Sequence, residues 1–153
     1  MNSKLEKVKE NLKKIIELNP KGNFKIWRWL TLEEIELFEI DHKIKLSEEY
    51  IDFVTNIGCF SSGPNEVLLP LNQYKDLRHR ILENNLQKNF HLLKKKKMMN
   101  STILNMILLL DGLILISDCV GGGFEVLIVN GKEYGKVWGD YRVSCNGMMP
   151  LKI

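Results

Sequence analysis

Apolar residues recur at helical spacing near the start of the chain. Leu5, Val8, Leu12, Ile15 and Ile16 share one face, with lysines and glutamates between them. The spacing predicts an amphipathic helix over 3–18. Ser3 and Glu6 read as a capping box at its start, and Asn19-Pro20 with Gly22 as its stop. Phe24, Ile26, Trp27 and Trp29 follow in a short connecting piece. A buried aromatic anchor is expected there; the alternative is a stacking platform for bases. Thr31 and Glu34 make a second capping box, opening a helix with Leu32, Ile35 and Phe38 facing inward. Leu46-Ser47 introduces a third helix, 48–57, whose apolar positions are Tyr50, Ile51, Phe53, Val54 and Ile57. Gly58 suits a left-handed cap at its end.

Farther along, the period changes. Ser61-Ser62-Gly63-Pro64-Asn65 reads as a turn cluster, 67–71 as a short strand, and 73–87 as a helix with Tyr74, Leu77, Ile81 and Leu86 periodic. Strands are then expected at 107–110 and 113–117 around Asp111-Gly112, and at 124–129 and 134–137 around Asn130-Gly131. Asn-Gly between two apolar runs is among the strongest hairpin signals. Helices gather in the first half and strands in the second. The class is therefore α+β, with helices mainly N-terminal and a largely antiparallel sheet. With no internal repeat and no clear linker, residues 1–153 read as one domain, the helix at 3–18 being an extension.

Composition narrows the setting. The chain has 153 residues, 44% hydrophobic and 27% charged, which fits one folded domain and argues against disorder. Three cysteines, Cys59, Cys119 and Cys145, form no close pair, which fits a reducing compartment and a cytoplasmic location. The charged, periodic N-terminus has no signal-peptide core. Residues 98–120 raise a membrane-spanning alternative, but they contain Asn100, Asn105 and Asp111-Gly112. An aspartate near the centre of a spanning helix costs about 2.5–3.5 kcal/mol, so two strands joined at Asp111-Gly112 are favoured.

Charge is uneven. The net charge is +3, while residues 76–100 hold seven basic and two acidic side chains, a balance of +5 that leaves −2 elsewhere. Lys94, Lys95, Lys96 and Lys97 dominate this run. Without interleaved aromatics or a nucleic-acid motif, it reads as a solvated loop; the alternative is an anionic-surface or nucleic-acid binder.

No catalytic constellation emerges. Gly121-Gly122-Gly123 resembles a phosphate loop only superficially, because a strand-like run follows it where a helix would be needed. His42, His79 and His91 lack ligand spacing. Cys119 sits beside Asp118, which opposes thiolate formation, and Cys59 reads as core. Neither a metal nor a cofactor is expected, and a non-enzymatic role is favoured.

Two stretches together resemble a known family. The first is Leu46-Ser47-Glu48-Glu49-Tyr50-Ile51-Asp52-Phe53, continuing through Gly58 to Gly63-Pro64. The second runs from Ile116-Ser117-Asp118-Cys119-Val120-Gly121-Gly122 through Leu127-Ile128-Val129-Asn130-Gly131 to Gly135-Lys136-Val137-Trp138-Gly139-Asp140-Tyr141-Arg142. They resemble the two halves of the pattern of the SUKH superfamily, which groups bacterial toxin-immunity proteins with fungal regulators of cell-wall synthesis. The sequence departs from that pattern at Ser47, where proline is usual, and at Asn56-Ile57-Gly58, where Asn-Gly-Gly is. The family usually adds a helix after the last strand, whereas Ile153 follows soon after Pro150.

The resemblance implies a twisted sheet with helices packed on one face. It also implies binding and occlusion of a cognate protein toxin, often a nuclease; the alternative is a regulatory or scaffold module. Structural roles are expected for Tyr50, Phe53, Gly58, Gly63, Pro64, Gly121, Gly131, Gly135 and Trp138. Glu66, Asp118, Glu125, Glu133 and Asp140 are the expected partner-binding residues.

Overall fold

The computed structural model describes residues 3–22, 24–62, 66–68, 71, 86–90, 111–119, 123–141 and 146–151. Among the described residues, three helices, α1 (Ser3–Leu18), α2 (Leu32–His42) and α3 (Glu48–Asn56), accompany seven strands. The strands are β1 (Phe24–Arg28), β2 (Cys59–Ser62), β3 (Glu66–Leu68), β4 (Leu113–Cys119), β5 (Gly123–Ile128), β6 (Val137–Tyr141) and β7 (Gly147–Pro150). They form one antiparallel sheet in which spatial order equals chain order. The α+β class is as expected.

Helix signals translate well for α2 and α3. The Thr31–Glu34 capping box is formed: Glu34 N–H donates to Thr31 Oγ1 at 3.2 Å, and Thr31 N–H donates to Glu34 Oε2 at 3.0 Å. Two orphan donors of the first turn are thereby satisfied. After α3, Gly58 takes φ +86°, the left-handed conformation expected of it. At the start of α1, Ser3 instead lies inside the helix, and Glu6 pairs with Lys9 at 3.2 Å. No residue of α1 is buried.

Several boundaries differ from expectation. Residues 24–28 form β1 rather than a connecting piece, and the adjoining Trp29 is exposed rather than an anchor. Ser61 and Ser62 belong to β2 rather than to a turn. Leu32 faces solvent while Ile35 and Phe38 are buried. The second strand of the last hairpin is 137–141, not 134–137, and β7 is an additional strand at the sheet edge, where its terminal proline is tolerated. Gly63, Pro64 and Gly121, the expected strand at 107–110 and most of the expected helix at 73–87 lie outside the described residues.

The sheet has a core on each face. On one side, Leu30, Ile35, Phe38, Ile44, Leu46, Tyr50 and Val54 from the helical region pack with Ile114, Ile116, Leu127 and Val129. On the other, Leu113, Leu115, Val126, Ile128 and Trp138 cluster with Phe90. Alternation along β4 and β5 supplies both cores from the same strands. A bulge in β4 interrupts it: Leu115 pairs with Val126 and Ser117 with Glu125, leaving Ile116 as the extra residue.

Residues 86–90 link the two cores. Leu86 belongs to the helix-side cluster and Phe90 to the opposite one. Between them the chain passes the ends of β4 and β5. Phe90 N–H donates to Asn130 O at 3.1 Å, Asn130 Nδ2 to Gln87 O at 2.7 Å, and the Phe90 and Trp138 rings meet edge-on at 5.4 Å. At Gly131, φ is +97° and an added Cβ would lie 3.1 Å from Phe90 N. The Asn-Gly pair thus does more than turn the chain: it fastens this passing segment.

Candidate functional site

A groove of about 630 Å³ opens between the C-terminal half of α2 and the β5–β6 connection, residues 129–136. Its lining is Glu39, Ile40, Lys43, Ile44, Lys45, Val129, Asn130 and Tyr134. Three local arrangements shape it.

The first is the end of α2. Lys43 caps the helix at φ +52° and ψ +46°, the left-handed region usually taken by glycine, with its N–H on the carbonyls of Glu39 and Ile40. His42 stacks on Phe38 with ring centroids 4.2 Å apart, and its Nδ1 lies 3.0 Å from Phe38 O.

The second is a buried carboxylate. Glu39 is 5% exposed. It accepts a bond from Leu46 N–H at 2.8 Å and pairs with Lys45 Nζ. One side chain therefore ties α2 to the segment that enters α3, and a buried charge with two donors avoids most of the penalty of isolation. The carboxylate in turn raises the Lys45 pKa above its ordinary value, chiefly through the hydrogen bond.

The third is the β5–β6 connection. Ile128 N–H donates to Lys136 O and Gly135 N–H to Ile128 O, each at 2.9 Å, so the ladder closes at its base. Gly131 and Gly135 both take positive φ. Tyr134 stands at the tip, 44% exposed. Partial burial raises its pKa, and the charges of Glu39, Glu49 and Glu48 add to this. The tyrosine therefore sits in the negative field of both helices.

Ile40 is 70% exposed and Leu37 55% exposed, on the side of α2 away from Ile35 and Phe38. On a 3.6-residue repeat, Glu33, Glu36 and Asp41 flank them. Residues 31–56 hold eight acidic and two basic side chains, a net −6, so the rest of the chain carries +9.

The acidic residues expected to bind a partner are not gathered into one patch. The register places Asp118 opposite Phe124, and Phe124 opposite Asp140, in one cross-strand row on the Trp138 side of the sheet. Asp140 is 8% exposed, so burial removes it from a contact surface. Glu125 pairs with Ser117, in the row nearer the helix side, and Glu66 sits opposite Cys119. Glu133, on the β5–β6 connection, is engaged by Lys136 at 2.8 Å. The groove and the α2 face were missed by sequence reasoning. Their signal was a charge count over 31–56, together with apolar residues on both sides of one helix.

Among the expected structural residues, Tyr50 and Trp138 are buried, and Phe53 packs against the helix-side core. Cys59 is fully buried, a core cysteine as expected. Lys94, Lys95, Lys96, Lys97, His79, His91 and Cys145 lie outside the described residues. Among the described residues, no helix is long and apolar enough to cross a membrane, and 113–119 of the spanning candidate is strand.

The model of the SMI1 / KNR4 family (SUKH-1) matches residues 30–147, from just after β1 to the first residue of β7. Helix α1 lies outside the match. No curated protein and no solved structure matches the chain.

Proposed function

The chain belongs to the SMI1 / KNR4 family (SUKH-1), and on that premise we propose that it is an immunity protein that binds a cognate toxin domain and blocks it by occlusion. The observation that carries this reading is the match over 30–147, which spans α2, α3 and β2 through β6. Occlusion needs a rigid platform with a surface patch, not a set of reacting groups. A sheet with a core on each face supplies the platform. It acts as a binding protein rather than as an enzyme, in the cytoplasm of the toxin's producer, and the toxin is a nuclease or another intracellular effector.

Co-expression tests this directly. The toxin encoded beside this gene is induced with and without the chain. Rescue of growth, together with co-purification of the two proteins at a fixed stoichiometry, is the expected result. Equal killing in both cases rejects the immunity role. A stable complex with a host regulator, in the absence of any neighbouring toxin, would instead establish a regulatory scaffold.

A further inference from the structure

Helix α2, which flanks the groove, does opposite things with its two sides. Its inner positions, Ile35 and Phe38, build the core. Its outer positions display Leu37 and Ile40 among carboxylates, beside a groove floored by Ile44 and Val129 and flanked by Tyr134. A helix that needed only solvation on its outer side would carry polar residues there. Exposed aliphatic side chains within a charged rim are the anatomy of an interface, with an apolar centre and a polar border.

The surroundings select the occupant. Residues 31–56 carry net −6: Glu33, Glu36, Asp41, Glu48, Glu49 and Asp52 occupy exposed positions, against two exposed lysines at the groove, Lys43 and Lys45, of which Lys45 is paired with Glu39. A nucleic acid or an anionic lipid surface would be repelled. The groove is open and broad, and Leu37 stands outside its lining, so the apolar area extends past any small-molecule pocket. A protein surface with an apolar anchor ringed by lysine or arginine satisfies both the shape and the sign of charge.

We infer that the outer face of α2, with the groove it forms against residues 129–136, is the docking surface for a basic face of a partner protein. An apolar side chain of the partner enters between Ile40 and Tyr134. Its cations face Glu36, Glu48 and Glu49. This rests on the protein-binding reading above and places the contact on the helix layer, not on the acidic residues of the strands.

The test uses the full chain and the toxin encoded by the neighbouring gene, with affinity measured by calorimetry at low and high salt. Ile40→Asp and the double variant Glu36→Lys/Glu49→Lys change exposed residues only, so circular dichroism should match that of the unaltered chain. Each is expected to weaken binding about tenfold or more. The double variant should also flatten the salt dependence. Asp118→Asn and Glu125→Gln should leave affinity unchanged. Full-strength binding by the α2 variants overturns the inference while leaving the protein-binding reading intact. So does a loss confined to Asp118→Asn and Glu125→Gln. Absence of binding by the unaltered chain overturns both. Self-association in ultracentrifugation that the same α2 substitutions abolish would assign the face to a second copy and overturn the inference.

Discussion

Tyr50 and Ser47 show how a single position can carry a penalty that the fold tolerates. The hydroxyls of both are buried without a hydrogen-bond partner among the described residues. A buried unpaired hydroxyl forfeits its hydration and gains nothing in return. Tyr50→Phe is therefore expected to be neutral or stabilising, by up to about 1 kcal/mol, in a denaturant titration. It should also change the alkaline limb. Burial pushes the Tyr50 pKa well above its ordinary value of 10.0, with the neighbouring Cys59 adding to it. The folded state thus holds this proton more tightly than the unfolded state does. The associated stability is complete below pH 10.0 and declines as pH rises above it. Phenylalanine should remove that component, and an unaltered alkaline slope in the variant would contradict this account. Ser47 stands before α3 at φ −69°, which is where a proline ring sets φ, and its side chain makes no cap hydrogen bond. Ser47→Pro is expected to stabilise the chain by about 0.5–1 kcal/mol, by narrowing the unfolded ensemble and deleting the buried hydroxyl.

Among the elements, α2 bears the most varied load. It caps itself at one end, packs Ile35 and Phe38 inward, and holds the next segment through Glu39. Glu39→Ala leaves the buried Leu46 N–H without an acceptor and is expected to cost about 1–3 kcal/mol in thermal unfolding. Glu39→Gln keeps a carbonyl oxygen there and should recover much of that loss. Equal destabilisation by both would show that charge, not the backbone bond, is what matters. How far the elements could be read beforehand follows from their length. A capping box made the start of α2 legible, and a 3.6-residue periodicity made α3 so, because that signal repeats over more than two turns. β1, β2 and β7 have five, four and four residues, too few to show an alternation. β2 also ends in serines that read as turn residues. Asn130-Gly131 announced the β5–β6 hairpin correctly, yet it does not form a two-residue turn: Asn130 is committed to Gln87, a partner far away in sequence. The groove was illegible for a related reason. Leu37 and Ile40 look like core residues in a string, and only the position of the sheet decides which side of a helix is outside.

At the scale of the molecule, charge is divided by region: −6 on residues 31–56 and +9 on the remainder. The exposed carboxylates of 31–56 set a negative potential over α2 and α3, and a basic partner approaching them is turned into register before contact. The expected result is an association rate that falls steeply as ionic strength rises past about 0.1 M, where the Debye length is about 10 Å, with a much smaller change in dissociation rate. Stopped-flow mixing at several salt concentrations measures both. A dissociation rate that carries the whole salt effect would mean that the charges act after docking. This charge pattern was visible in the composition, but a window centred on residues 76–100 drew attention to the lysines and away from the helices.

The extra residue in β4 sets the phase of everything that follows it in the strand. Ahead of Ile116, odd positions belong to the Trp138 side; after it, the register hands that side to Asp118, beside Phe124. Were the same residues to alternate regularly, with Ile116 taking a pairing position of its own, the Asp118 carboxylate would swing toward the aliphatic layer under the helices. Deleting Ile116 would therefore leave the later side chains of β4 on the faces that their pairing with Glu125, Phe124 and Gly123 already gives them, at the cost of one buried isoleucine, whereas adding a residue elsewhere in the strand would exchange each later environment for the opposite one.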